Sequence, residues 1–260
     1  MYAKRSLGQN FLTNTRIVSK IADAGNITNK DIVLEIGPGK GILTKELLSR
    51  AKKVIAIEKD DSLFLALQEK FKEEIRNKKL ELIHNDARLI QLKKIGLTNH
   101  SYSIVANIPY NITGELFELF LTNTIQPKTI VFLVQKEVAE RIVAKDKKES
   151  ILSLSVKIFS SPKIMGVVGR GSFSPAPNVD SAILLLRDIH NPWKNKKEEE
   201  KFFSIIKSGF AHKRKYVAKN ILGGGFTNVL SIFEKENIPT TSRAEDLPLE
   251  VWKRLAQKIN

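Results

Sequence analysis

Along the first two-thirds of the chain, short apolar runs alternate with segments whose apolar residues recur every three or four positions. The runs Ile32–Ile36, Val54–Glu58, Leu80–His84, Ser103–Asn107, Thr129–Val134, Lys163–Val168 and Ser181–Arg187 predict strands. Between the earlier ones, Leu43/Leu47/Leu48, Leu63/Leu67/Phe71 and Leu116/Phe117/Phe120/Leu121 gather apolar side chains on one helical face. Such alternation predicts βαβ units and a mostly parallel sheet covered on both faces, a doubly wound α/β domain. The two late strands, joined by a loop rich in Gly and Pro, predict an antiparallel hairpin at the sheet edge. After the break at His190-Asn191-Pro192 the pattern is helical, carried by Phe202/Phe203/Ile206/Phe210, Val229–Phe233 and Leu249–Ile259. The expected organisation is therefore an α/β domain over 1–188 and a small all-α domain over 189–260.

Charge adds a partner class to this outline. The 260 residues include 43 Lys and Arg against 28 Asp and Glu, a formal net charge of +15. No acid occurs in 1–22, 87–114, 150–179 or 201–233, whereas acids cluster between Glu58 and Asp86. The densest basic stretch holds Lys201, Lys207, Lys213, Arg214, Lys215 and Lys219. A polyanion, RNA or DNA, is the partner these stretches fit. The chain has no cysteine, which excludes disulfides, thiolate metal sites and thiol nucleophiles. It carries no apolar run of membrane-spanning length and no secretory h-region, so a soluble cytoplasmic protein is expected.

The first strand runs into Glu35-Ile36-Gly37-Pro38-Gly39-Lys40-Gly41 and then a helix. The spacing G-x-G-x-G is neither the dinucleotide fingerprint nor a Walker loop, and Glu35 would repel a pyrophosphate. A cationic nucleoside bearing an amino acid, such as S-adenosylmethionine (SAM), suits that carboxylate better. Glu58 ends the second strand 21 residues after Gly37, where an acid accepts hydrogen bonds from ribose hydroxyls. That position alone leaves the choice of cofactor open. Asp86, within Asn85-Asp86-Ala87 beyond the third strand, is placed to meet an adenine amino group.

Asn107-Ile108-Pro109-Tyr110 ends the fourth strand at the same sheet edge. An exocyclic amine on a purine is a poor nucleophile because its lone pair is delocalised. Accepting both of its N–H bonds, at the Asn107 side-chain oxygen and the Ile108 carbonyl, favours pyramidal nitrogen and aims the lone pair at a methyl group. Pro109 fixes the backbone without a competing N–H, and Tyr110 offers a face for base stacking. Lack of cysteine closes the covalent route to pyrimidine carbon methylation, while amino-group transfer needs only positioning and in-line displacement, without a metal.

These segments, in this order, closely resemble the ribosomal RNA adenine N6,N6-dimethyltransferase family. The resemblance runs from Lys4 to about Leu222, and more loosely to the end. It rests on Gly8–Leu12, Glu35–Gly41, Glu58, Asn85–Ala87, Asn107–Tyr110, Val134–Arg141, Phe173–Ala182 and Phe210–Lys215. It implies a Rossmann-like SAM-dependent methyltransferase domain. Asn10 and Leu12 would close over SAM, Gly37 would line its methionine end, Glu58 would hold the ribose and Asp86 the adenine. Asn107 would serve both cofactor and target amine, Tyr110 and Phe173 would sandwich a flipped adenine, and Lys213, Arg214 and Lys215 would contact RNA. The Val134–Arg141, Val179–Ala182 and Phe210–Lys215 runs resemble the small-subunit branch more than the antibiotic-resistance branch acting on large-subunit RNA. The implied substrate is a pair of adjacent adenosines in the terminal small-subunit hairpin, and a monomer suffices. Gly171-Ser172 and Tyr216-Val217 depart from the family pattern. A binding factor that kept the fold without the activity is disfavoured by the intact Glu58, Asp86 and Asn107–Tyr110, and a nicotinamide oxidoreductase by the glycine spacing.

Overall fold

The computed structural model describes residues 10–260. Gly8 and Gln9 of the N-terminal motif lie outside the described residues. Strands are β1 (Phe11–Leu12), β2 (Ile32–Ile36), β3 (Lys53–Glu58), β4 (Leu80–His84), β5 (Tyr102–Asn107), β6 (Thr129–Gln135), β7 (Ser161–Val168), β8 (Phe173–Ser174) and β9 (Ser181–Arg187). Seven form one sheet in the order β4-β3-β2-β5-β6-β9-β7. Pairing is parallel from β4 through β6, then antiparallel at β6–β9 and β9–β7. The late hairpin is antiparallel as its sequence predicts, with β9 inserted beside β6 and β7 left at the edge. Strand order reverses between β2 and β5, and at such a switch point the strand ends leave a crevice for a ligand.

The strands read as continuous apolar runs because both faces are covered. Alternate residues divide between the two sides. Val33, Val54, Ala56, Val105, Val131, Leu133, Ile183 and Leu185 face one core with Val18, Ile21, Leu43, Leu47, Leu67 and Phe71 from the helices Thr15–Ala24, Ile42–Arg50 and Asp61–Lys70 and the turn after them. On helix Thr113–Leu121, Phe117 meets Phe132 of β6 at 5.4 Å between ring centroids. The pair β1–β8, with Leu12 opposite Phe173, has no counterpart in the sequence reading. Two residues carry no period.

The chain divides into two compact units. One runs through Ala139 and resumes at Ser160–His190; the other comprises Glu140–Phe159 and Asn191–Asn260. The second unit is helical, with Trp252, Phe202, Phe233, Ile206, Ile221 and Leu255 fully buried. Glu149 N donates to the Glu245 carbonyl at 2.8 Å, and Lys148 pairs with Asp246, tying Glu140–Phe159 to this unit. Helix Val217–Gly223, absent from the sequence pattern, is one of its elements. Among the described residues, no helix is long and apolar enough to cross a membrane.

Gly41 caps helix Ile42–Arg50 at φ +74°, and a Cβ there would lie 2.6 Å from the Phe71 ring. Gly41→Ala is expected to cost about 3 kcal/mol, combining left-handed strain with overpacking. Gly114→Ala, with nothing within 4 Å of an added Cβ, is expected to change stability by less than about 1 kcal/mol. Denaturant unfolding of both variants checks the contrast.

Candidate active site

The ends of β2, β3, β4 and β5 and the segment at β1 enclose a cavity of about 290 Å³. Its wall contains Asn10, Leu12, Gly37, Glu58, Asp86, Asn107, Ile108, Pro109 and Tyr110, so the fold gathers these sequence-nominated residues in one place. Phe173 is not in that wall. It is buried in β8 opposite Leu12, with the rest of its contacts in the core. Lys213, Arg214 and Lys215 belong to the helical unit, exposed on the turn between helices Lys196–Gly209 and Val217–Gly223.

The glycine turn is fixed by a carboxylate. Glu58 Oε2 accepts from Gly39 N at 3.1 Å, and Oε1 accepts from Lys59 N and Asp60 N at 2.9 Å each. Burial raises the Glu58 carboxyl and those three N–H bonds oppose the rise. Gly39 sits at φ +59°, and an added Cβ would come within 3.0 Å of the Phe11 ring, so the turn and the N-terminal segment approach closely only with glycine there.

Asp86 is less available than its sequence position implies. Its side chain caps the short helix Ala87–Leu89 through Arg88 N and also accepts from Arg88 Nη2 at 2.7 Å and Lys59 Nζ at 3.0 Å. The Arg88 side chain, more than any other group, holds its carboxyl well below the usual range. A ligand amine therefore meets an acid already held by two cations. Neither Lys59 nor Arg88 was nominated from sequence, although Arg88, two residues past the capping acid, is within reach of a local pairing.

At the end of β5, Asn107 Nδ2 donates to the Asn10 carbonyl at 3.1 Å. One N–H of the amide is thereby committed, which sets the orientation in which Oδ1 is the acceptor. Tyr110, half-buried, opens a short 3₁₀ turn and shares a 2.7 Å hydrogen bond with the Ser181 hydroxyl. Burial raises its phenol, which stays neutral. The Val179–Ala182 run includes Ser181, but nothing local pointed to its pairing with Tyr110, 71 residues away.

Glu35 is 1% exposed, lines the cavity, and its Oε2 has no hydrogen-bond partner among the described residues. Burial pushes its carboxyl up to about 8, with the Thr44 hydroxyl pulling the other way and the Glu58 charge adding to the rise. A buried carboxyl with one oxygen unpartnered is suited to a cationic ligand group.

Residues 1–260 match the family model described as ribosomal RNA adenine dimethylase. The chain is 39% identical over 256 residues to the ribosomal RNA small subunit methyltransferase A of Dehalococcoides mccartyi, covering 97% of this chain and 87% of that protein. To the Clostridium botulinum protein of the same name it is 36% identical over 259 residues, covering 98% and 93%. A solved dimethyladenosine transferase from Plasmodium falciparum aligns with a TM-score of 0.80 at 28% identity, over 95% of this chain and 96% of that one. The 23S ribosomal RNA methyltransferase ErmE aligns with a TM-score of 0.77 at 25% identity, over 95% and 98%.

Glu35 gives the site a pH signature. Titrating near 8 when folded and near 4.5 when unfolded, it keeps a proton in the native state that the unfolded chain has lost. Its contribution to stability is thus full below about pH 4.5 and is lost as pH rises to about 8. Glu35→Gln is expected to melt roughly 5 °C above the wild type near pH 9 and with it near pH 4.5. Calorimetry across that range checks the sign; parallel pH profiles would contradict it.

Proposed function

The chain belongs to the ribosomal RNA adenine dimethylase family, and on that premise we propose that it dimethylates the N6 amines of two adjacent adenosines in the terminal hairpin loop of small-subunit ribosomal RNA, using SAM. The observation that carries this reading is the Asn107 amide. With Nδ2 committed to the Asn10 carbonyl, Oδ1 and the Ile108 carbonyl are the acceptors for the two N–H bonds of an exocyclic amine. That pairing favours the pyramidal nitrogen whose lone pair attacks. The relatives that share more than a third of this sequence are named for the small subunit, which supports that choice over the large one.

The cavity residues fit SAM. Glu35, buried and lacking a partner at Oε2, suits the ligand's ammonium, Gly37 its amino-acid end, Glu58 the ribose and Asp86 the adenine, with Asn10 and Leu12 closing one side. Bound there, SAM supplies a methyl group made electrophilic by sulfonium. Asn107 and Ile108 hold the amine in line with it, Pro109 keeps the turn rigid, and Tyr110 stacks on a base flipped out of its helix. Phe173, paired in β8 with the cavity-lining Leu12, is the second aromatic assigned to that base. The nitrogen sheds its proton to solvent after transfer. The exposed Lys213, Arg214 and Lys215 contact the RNA backbone. The protein acts as a monomer in the cytoplasm, where its substrate is assembled.

Asn107→Ala is expected to lower methyl transfer from labelled SAM to unmethylated small subunits at least about 10²-fold, with particle binding retained. Wild-type turnover in that variant would sink the proposal. Replacing Lys213, Arg214 and Lys215 together by Ala should weaken RNA binding at every sequence and flatten the slope of log affinity against log salt by up to about three. SAM affinity, measured by calorimetry, should not change.

A further inference from the structure

Ser181 opens β9, a strand whose next five residues, Ala182 to Leu186, are all apolar and buried. The serine is itself fully buried, held between two neighbours by its pairing with Gln135 of β6 and Val168 of β7. A hydroxyl in such a place costs stability unless it is hydrogen-bonded. Its partner is the Tyr110 hydroxyl, 2.7 Å away.

The preceding residue ties this anchor to its neighbours. The Asp180 carbonyl accepts from Lys136 N at 2.9 Å, and its carboxylate accepts from Arg170 N at 3.0 Å. The start of β9 is therefore pinned to the ends of both flanking strands. Tyr110 is fixed at its near end by the 3₁₀ turn, where Thr113 Oγ1 donates to the Tyr110 carbonyl at 3.0 Å. Its far end is the phenol. We propose that Ser181 is a positioning residue for methyl transfer: by holding the Tyr110 hydroxyl it fixes the position and tilt of the ring on which the target adenine stacks. The inference rests on the reading of Tyr110 given above and assigns the Val-Asp-Ser-Ala run a task in that site.

The experiment is a double-mutant cycle of Ser181→Ala and Tyr110→Phe on unmethylated small subunits. Each single variant is expected to lose about tenfold in kcat, with particle KM and SAM affinity within about twofold of wild type. The double variant should lose no more than either single one, because both remove the same hydrogen bond. Tyr110→Phe breaks that bond without touching β9 and decides the matter if Ser181→Ala is unstable. In protein labelled with 3-fluorotyrosine, the Tyr110 fluorine resonance should shift or broaden in Ser181→Ala while the other three stay in place. Wild-type kcat in either variant, fully additive losses, or an unchanged Tyr110 resonance would overturn the inference. An inactive wild type would instead contradict the substrate reading, and the fluorine spectrum would still decide where the ring is held.

Discussion

The Glu58 carboxylate is 5% exposed and accepts backbone N–H bonds from Gly39, Lys59 and Asp60, and the site takes its shape from that arrangement. A buried carboxylate is tolerated only where its oxygens are satisfied, so the chain must bring two separate turns to one side chain. The glycine turn after β2 is drawn to the end of β3, and Gly37 N adds a 2.9 Å bond to the Ile57 carbonyl. Once there, the turn lies against Phe11, with Lys40 Nζ 4.9 Å from that ring's centroid. Two walls of the cavity thus depend on one acid. A third, the Asn107 turn, is joined to the same N-terminal segment through Asn10.

Charge is divided across this cavity in a way that matches two unlike ligands. Glu35, Glu58 and Asp86, with Lys40, Lys59 and Arg88 beside them, line the side formed by β2, β3 and β4, while the β5 side, from Asn107 to Ile112, carries no charged residue. The first side suits a small cation with ribose hydroxyls and the second a base on a polyanionic chain. The overall +15 does not produce this division, which follows from the acid-free run 87–114 ending β5 at the sheet edge.

Residues whose place is set by strand ends were legible in the sequence. Glu58, Asp86 and Asn107 each sit at or just past the end of an apolar run, and parallel pairing brings such ends to one edge whatever the details of packing. Helices Ile42–Arg50, Asp61–Lys70, Thr113–Leu121, Lys196–Gly209 and Leu249–Lys258 were legible because their period is local, whereas Thr15–Ala24 was not read. Contacts between residues far apart in the chain were not legible. Ser181 looks like the first residue of a core strand until Tyr110 is seen against it, and β1–β8 is too short to carry a pattern. Helix Val217–Gly223 escaped because it follows a basic run directly and is held by Asn220, whose Nδ2 donates to the Gly209 and His212 carbonyls. Phe173 illustrates the limit from the other side: a motif places it near the site, and the fold buries its ring beside Leu12 instead of in the cavity wall.

The central claim is that the Asn107–Tyr110 turn and the acid-lined cavity together methylate adenine amines of small-subunit RNA. Incubating the protein with methyl-labelled SAM and either small or large unmethylated ribosomal subunits, followed by mapping of N6,N6-dimethyladenosine, tests it most directly. The account predicts label on two adjacent adenosines of the small-subunit hairpin loop and none on the large subunit. Label confined to large-subunit RNA, or no dimethyladenosine at all, would contradict it.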